Sequence, residues 1–180
     1  GLDFGYAVDP LSYTVMHYDR KHKRIYIFHE LYKVAMSNYS AYLHIASENT
    51  RNEVVKADSA EPKSINELSQ YGLFVHPVKK GPDSIEFGIK FLQSLEAIVI
   101  DDKRCPETAR EFLTYELDKD AHGNFKAKFP DKNNHSIDSV RYAMEDDMWD
   151  FMERMKARPA IEAPFPFRTE SVGGGDYLGW

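Results

Sequence analysis

The sequence has a single cysteine and no long apolar run, and each shortage excludes a class of protein or site. Cys105 has no second cysteine to pair with, so an internal disulfide and a cysteine-based metal site are both excluded. No segment approaches the roughly 20 apolar residues that a membrane-spanning helix needs, and the N-terminus lacks the pattern of a signal peptide. We therefore expect no membrane partner, and the lone thiol fits a reducing compartment.

The sequence also lacks an excess of positive charge and two common catalytic motifs. It has 29 acidic and 23 basic residues, a formal net charge of −6. This balance argues against holding nucleic acid by bulk electrostatic attraction, so any such contact must be local or supplied by another domain. Without G-x-x-x-x-G-K-[ST] the chain has no ATPase phosphate loop. Without G-x-S-x-G it has no nucleophile elbow.

What the chain does contain is an alternation of short apolar strands and amphipathic helices. Its 180 residues suffice for one domain with a substantial core. Turn residues between apolar runs predict strands, and apolar residues at helical spacing predict helices. The predicted strands are 2–8, 12–19, 24–33, 53–58, 74–78 and 97–100, and the predicted helices are 38–49, 63–70, 84–95, 105–115 and 136–158. Ser37 can cap the first helix. The last helix has an apolar stripe at Ile137, Val140, Met144, Met148 and Met152. This order predicts an α/β domain with a mixed β-sheet flanked by helices.

Two segments stand outside that alternation. Residues 116–129 have turn residues between two extended runs, which predicts an added β-hairpin before the last long helix. After Pro159 the chain becomes rich in proline and glycine. We therefore predict a folded domain over 1–158 and a C-terminal tail over 159–180.

Three acids stand out by their predicted positions. Asp3 lies within the first strand, Asp58 at the end of the fourth, and Asp138 in the first turn of the last helix. If the fourth strand pairs beside the first and the last helix packs over both, the three carboxylates meet. Such a group cannot stay fully ionised without a cation, and its hard oxygen ligands select Mg²⁺ or Mn²⁺. Two such ions about 3.5–4 Å apart clamp an in-line phosphoryl displacement.

Each of these acids also has an ordinary structural explanation, and the sequence leaves both open. Asp3 suits an exposed position on an edge strand, and Asp58 suits a cap on the turn before Pro62. Asp138 suits the positive end of a helix dipole and can pair with Arg141 at i+3. Only the joint arrangement of the three favours a metal site.

Other polar residues close to these acids in sequence are further candidates. His135 comes three residues before Asp138, so the two can face the same point. It can assist proton transfer or be a solvent-exposed histidine at a helix start. Glu61 is a spare acid that could reach a second metal. Lys79 and Lys80 suit a contact with a DNA phosphate, or form a solvated pair.

Four blocks of sequence occur together in this chain: 1–5 (GLDFG), 56–64 (KADSAEPKS), 80–85 (KGPDSI) and 135–143 (HSIDSVRYA). In this order they resemble the C-terminal nuclease domain of the large terminase subunit of tailed bacteriophages. The resemblance implies an RNase H-like fold, similar to RuvC-type resolvases and retroviral-type integrases. It also implies that Asp3, Asp58 and Asp138 are the metal-binding acids, with His135 as a more variable catalytic residue.

The resemblance further implies a function and its setting. Such domains cut concatemeric viral DNA when packaging begins and when the head is full, so a Mg²⁺- or Mn²⁺-dependent DNA endonuclease is expected. The implied partners are double-stranded DNA, the ATPase motor domain of the same subunit, the portal and the small terminase subunit. The implied location is the host cytoplasm during phage assembly, outside the mature virion.

Two alternatives to this function stay open. A Holliday-junction resolvase or an RNase H-type nuclease would use the same acids, although a resolvase should be dimeric and more basic. A non-catalytic docking module for the portal or the small terminase subunit would instead use the glycine-rich tail as its contact.

Overall fold

The computed structural model describes residues 1–117, 122, 124, 129–130 and 132–157. Its strands are β1 (Leu2–Asp3), β2 (Leu11–Asp19), β3 (Arg24–Lys33), β4 (Val55–Ala57), β5 (Val75–Pro77) and β6 (Ala97–Ile100). They form one sheet in the order β5-β4-β1-β2-β3-β6. Strand β2 is antiparallel to both of its neighbours, and the remaining pairs are parallel. The predicted mixed sheet is therefore confirmed.

Helices cover both faces of this sheet. The helices of the described residues are α1 (Asn38–Glu48), α2 (Pro62–Tyr71), α3 (Ser84–Gln93), α4 (Pro106–Thr114), α5 (His135–Ala143) and α6 (Glu145–Ala157). On one face, α1 and α2 bury Ile45 and Leu68 against Leu11 of β2. On the other face, α3 and α5 bury Leu92 and Val140 against strand β3. A sheet covered on both faces suits its mostly parallel strands.

A register shift in β3 decides which helices its side chains meet. Phe28 has no opposite residue on β2, and one extra residue reverses the alternation of side chains between the two faces. Ile27 therefore packs in the core that includes α5, whereas Leu31 packs in the core that includes α1. Tyr32 then faces α4, where its hydroxyl donates to Glu111.

Helix α5 lies very close to the strands beneath it because small polar side chains line the contact. The hydroxyl oxygens of Ser12 and Ser136 are 3.1 Å apart, and those of Thr14 and Ser139 are 2.7 Å apart. A Cβ atom on Gly1 would lie 1.7 Å from the carbonyl oxygen of Ser139. This close approach brings the first turn of α5 to the end of β1.

Local sequence signals explain several element boundaries. Ser37 caps α1 as predicted, because its hydroxyl accepts a hydrogen bond of 3.2 Å from the Ser40 amide. Pro62 lies in the first turn of α2, where its missing N–H costs nothing. Gly72 ends that helix in the left-handed conformation at φ 112°. These signals fixed the boundaries to within one or two residues.

The first strand is shorter than predicted. It ends at Asp3, and the prediction of a strand over 2–8 is wrong beyond that point. The following loop folds back on itself: a Cβ atom on Gly5 would lie 2.4 Å from the carbonyl oxygens of Asp9 and Pro10. The loop is tied to the end of β3 by a 2.7 Å bond from the Ala35 amide to a loop carbonyl. Asp3 is therefore the last residue of its strand.

The predicted single helix over 136–158 is two helices, and this prediction is also wrong. The chain turns at Met144, which has φ −93° and ψ 12°. The next residue, Glu145, is buried and accepts hydrogen bonds from the Lys56 ammonium at 2.9 Å and from the Lys79 amide. The predicted apolar stripe still lies in the core on both sides of the turn, at Ile137, Val140, Met144, Met148 and Met152.

Some predictions fall on residues that the structure leaves out. Most of the predicted hairpin at 116–129 and the whole predicted tail at 159–180 lie outside the described residues. Within the described part of the chain, no helix is both long and apolar enough to cross a bilayer.

Candidate active site

Three carboxylates line one cavity of about 750 Å³: Asp3, Asp58 and Asp138. The parallel pairing of β1 with β4 places Leu2 opposite Ala57, so Asp3 and Asp58 leave the sheet at the same edge. Asp138 comes from the first turn of α5, which packs over both strands. The conditional expectation that the fourth strand pairs beside the first is confirmed. Glu61 is not among the residues that line the cavity.

Asp3 is the most buried of the three acids, with 7% of its surface exposed. Burial raises the pKa of Asp3 to about 6, and the negative charges of Asp138 and Asp58 act in the same direction. A hydrogen bond from His135 opposes them: Nδ1 of the imidazole lies 3.0 Å from Oδ2 of Asp3. Since a carboxylate accepts, we assign Nδ1 as the donor.

His135 lies inside the cavity and is half-buried. The hydrogen bond to Asp3 raises the pKa of His135, although burial of the ring acts to lower it. Its second ring nitrogen, Nε2, is 3.8 Å from a carboxylate oxygen of Asp9. The Tyr32 ring packs against the imidazole in a T-shaped arrangement, with the ring centroids 6.4 Å apart. Of the two predicted alternatives, the structure favours an imidazole held at the site, and its catalytic role stays a prediction.

Asp58 is held by a lysine and by its own turn. The ammonium nitrogen of Lys80 lies 2.5 Å from Oδ1 of Asp58. The Ala60 amide donates to the same oxygen at 2.8 Å, so the predicted capping of the turn before Pro62 also occurs. Lys80 lies 5.8 Å from the centre of the Tyr142 ring.

Asp138 is held by two side chains of its own helix region. Arg141 donates to Oδ1, and the Asn134 amide donates to Oδ2 at 3.0 Å. Arg141 itself is only 6% exposed and fits because α3 has Gly88 at the contact, where a Cβ atom would lie 2.5 Å from the guanidinium Nε. The predicted pairing of Asp138 with Arg141 is confirmed.

The cavity brings acidic and basic side chains together. Tyr142, which also lines it, has its pKa raised first by burial and then by the charges of Asp138, Asp3 and Asp58, while Arg141 acts to lower it. The three carboxylates favour cations beside them, and in this structure those cations are basic side chains of the chain itself.

The donor chemistry fits a hard divalent cation, although the side chains are not yet directed at one point. In the described part of the chain, no group of three or more His, Cys, Asp or Glu side chains is arranged to hold a metal ion. The reason is visible in the contacts, since each carboxylate is turned toward a basic group of this chain: His135, Lys80 or Arg141. Three carboxylates on one cavity are oxygen ligands of the kind that Mg²⁺ and Mn²⁺ prefer.

The structure also reveals a buried acid that the sequence did not indicate as functional. Glu111 of α4 has no exposed surface, and its carboxylate accepts hydrogen bonds from the amides of Ser136 at 2.7 Å and Ile137 at 3.4 Å. The Tyr32 hydroxyl donates to its other oxygen at 2.8 Å. A carboxylate at a helix N-terminus satisfies open N–H groups and complements the helix dipole. Glu111 thereby positions the turn that carries His135.

A second, partly buried interaction of the same kind supports the first. The Glu30 carboxylate of β3 accepts from the amides of Glu107 at 3.0 Å and Thr108 at 2.8 Å, the N-terminus of α4. The sheet thus caps α4, and α4 in turn caps α5 through Glu111. The only signal in the sequence was an acid three residues after Thr108, on the buried face of α4.

The sequence pattern described as the terminase RNase H-like domain matches residues 3–146. The large terminase subunit of Bacillus phage SPP1 is 41% identical over 152 residues, which are 82% of this chain and 36% of that protein. The chain spans about a third of the length of the curated relatives it matches.

Two solved structures are similar in fold. The nuclease domain of the SPP1 large terminase (g2p), solved with bound Mn, has a TM-score of 0.77 and 41% identity, covering 82% of this chain and 84% of that one. The nuclease domain of the P22 large terminase has a TM-score of 0.64 and 16% identity, covering 83% and 82%. The second likeness concerns the fold alone.

The Glu111→Ala variant should lose both stability and the geometry of the cavity. Removal of the carboxylate leaves the buried Ser136 amide without its acceptor, which costs roughly 1–3 kcal/mol, and the partly buried Tyr32 hydroxyl loses its acceptor as well. Thermal unfolding measures the loss. Glu107→Ala is the matched control on the same helix, because it removes only an exposed pair with Arg110. Equal melting temperatures for the two variants would contradict the positioning role.

The Asp3→Asn variant should be more stable than the wild-type chain when no metal is present. The pKa of folded Asp3 lies above the 3.8 of unfolded aspartate. The stability that the Asp3 carboxyl contributes is therefore fully present below about pH 4, and it is lost as the pH rises through about 6. In the presence of a chelator, the melting temperature of Asp3→Asn should exceed that of the wild-type chain at about pH 7.5, and this difference should shrink toward about pH 4.5. Asp102→Asn, at an exposed acid, is the control. A lower melting temperature than wild type at neutral pH would refute this account of Asp3.

Proposed function

This chain belongs to the terminase RNase H-like domain family, and from that premise we propose that it is a metal-dependent endonuclease that cuts double-stranded viral DNA during genome packaging. The observation that carries the proposal is the meeting of Asp3, Asp58 and Asp138 on one cavity. The Mn-bound nuclease domain of SPP1, at 41% identity over most of both chains, supports a divalent metal at this site.

The proposed chemistry is hydrolysis of a phosphodiester bond with Mg²⁺ or Mn²⁺. Two such ions, when bound, would activate the attacking water and stabilise the leaving 3′ oxygen. The residues that would hold them are Asp3 and Asp58 at the sheet edge and Asp138 on α5. Arg141 and Asn134 hold the Asp138 carboxylate by one oxygen each, Arg141 at Oδ1 and Asn134 at Oδ2.

His135 would assist proton transfer near the scissile phosphate. Its imidazole is held by Asp3 through Nδ1, which leaves Nε2 as the nitrogen that can exchange a proton. The pKa of His135 is raised by that hydrogen bond, so the ring carries a proton more readily than an ordinary histidine. This suits a group that donates a proton or a hydrogen bond to a phosphate oxygen.

The partners and setting belong to the same proposal. The chain spans about a third of the length of its curated relatives, which leaves room for an ATPase motor domain in the same subunit. The portal and the small terminase subunit are the proposed assembly partners. The proposed location is the host cytoplasm during phage assembly and not the mature virion.

Asp58→Asn and Asp138→Asn should each abolish cleavage of plasmid in Mn²⁺ while the fold is retained. Each change removes a charged oxygen ligand from the proposed site but keeps the size of the side chain. Nicking is followed on gels, and circular dichroism checks the fold. Asp102→Asn, an exposed acid away from the cavity, is the matched control and should cut like wild type. Wild-type rates in either of the first two variants would refute the assignment.

The same preparation can be given three substrates: a linear duplex, a four-way junction and an RNA–DNA hybrid. The proposal expects cutting of the duplex. Preferred cutting of the junction or of the hybrid would instead support a resolvase or an RNase H-type nuclease. Binding to portal or small subunit without cutting of any substrate would support a docking module.

His135→Ala should slow cleavage by roughly 10²–10⁴-fold, the usual cost of lost acid–base help. Mn²⁺ affinity in calorimetry should stay nearly unchanged, since the three carboxylates remain. His76→Ala, at an exposed histidine of β5, is the control for loss of an imidazole. If His135→Ala loses Mn²⁺ affinity as strongly as it loses cleavage rate, His135 is a metal ligand instead. An unchanged cleavage rate would remove His135 from the mechanism.

A further inference from the structure

We propose that Lys80 is an internal counter-ion of the metal site, which holds Asp58 until a divalent cation displaces it. The inference rests on the proposed function, because it concerns how the three acids receive their metal. Its basis is the ion pair of 2.5 Å between the Lys80 ammonium and Oδ1 of Asp58, on the wall of the cavity that Asp3 and Asp138 also line.

Lys80 differs from Arg141, which pairs with Asp138, in its freedom to leave. Its side chain is 45% exposed and lies in the connection between β5 and α3, so solvent can take up the ammonium. Arg141 is only 6% exposed, is packed against Gly88 and bonds to a residue of its own helix. Its release would leave a buried charge unpaired, which is costly.

The backbone on the N-terminal side of Lys80 is fixed, so its side chain can move without the strand. The Val78 amide donates to the Ala57 carbonyl at 2.9 Å, and the Lys79 amide donates to the buried Glu145 carboxylate. Glu145 is itself held by Lys56. Lys80 is the first residue after these two anchors, close enough to reach Asp58 and next to the loop at Gly81.

The exchange has a direct consequence for metal binding. A divalent cation and the Lys80 ammonium would compete for the Asp58 carboxylate, so the ion pair lowers the apparent affinity for metal. The chain therefore keeps its acids neutralised when no metal is bound, and loading requires the loss of one contact. Cutting then depends on the concentration of free metal as well as on DNA.

The first test measures Mn²⁺ binding to the metal-free chain by calorimetry, without DNA. Lys80→Met should bind Mn²⁺ about two- to five-fold more tightly than wild type, the range that a partly exposed ion pair spans. Lys79→Met is the matched control. It removes the same charge at the neighbouring residue, and the Lys79 side chain makes no ion pair with Asp58. Equal tightening in both variants would reduce the effect to net charge and overturn the proposal.

The second test uses the wild-type chain with Lys79 as an internal reference. Acylation by an N-hydroxysuccinimide ester, read at each lysine by mass spectrometry, reports how accessible each amine is. Added Mn²⁺ should increase labelling of Lys80 several-fold relative to Lys79, because the ammonium is released from Asp58. An unchanged ratio at saturating Mn²⁺ would overturn the proposal.

Asp58→Asn separates this inference from the proposed function. If wild type binds Mn²⁺ and Asp58→Asn does not, the metal site stands, and the behaviour of Lys80→Met alone decides the role of the lysine. If wild type itself binds no Mn²⁺, the proposed function fails together with the inference.

Discussion

The structure depends on the placement of three carboxylates at one partly buried edge of a sheet. Like charges in such a place repel one another and lose hydration, so burial, together with the charges of Asp138 and Asp58, raises the pKa of Asp3. The surroundings are arranged to offset it. Each acid has a basic group of the chain against it, and these groups come from three different parts of the sequence: His135, Lys80 and Arg141.

A second set of carboxylates holds in place the secondary-structure elements around the three site acids. Glu30 caps α4 and Glu111 caps α5. Glu145 ties the start of α6 to β4 through Lys56 and to the segment after β5 through the Lys79 amide. Glu111 and Glu145 are buried and Glu30 is partly buried, and each accepts hydrogen bonds, so removing any of the three is costly. The site is therefore built on rigid elements rather than on loops, with the exception of the connection that carries Lys80.

The small side chains under α5 connect packing to chemistry. Ser136 and Ser139 meet hydroxyl groups of β2, and their size lets the helix lie close to the sheet. Larger residues there would lift α5 and carry Asp138 away from the strand ends. The predicted apolar stripe of this helix faces the core on one side, while its first turn faces the cavity. One helix thus serves both the core and the proposed metal site.

The sequence by itself determined the elements whose signals are local. Strand 97–100 and the strand 24–33 have the predicted bounds, and Ser37 caps α1 where expected. The sequence also placed Asp3 on the first strand and Asp58 at the end of the fourth, but not the pairing of the two strands. Alternation, caps and turn residues act over a few positions, so a single sequence displays them.

Only the tertiary structure decided the features that depend on distant residues. Strand β1 ends early because its loop folds back toward β3, and the last helix turns at Met144, without proline or glycine, where Glu145 meets Lys56. The same holds for the cap that Glu111 provides and for the pairing of Lys80 with Asp58. Burial and charge pairing are set by parts of the chain far apart in sequence, so local sequence patterns do not predict them.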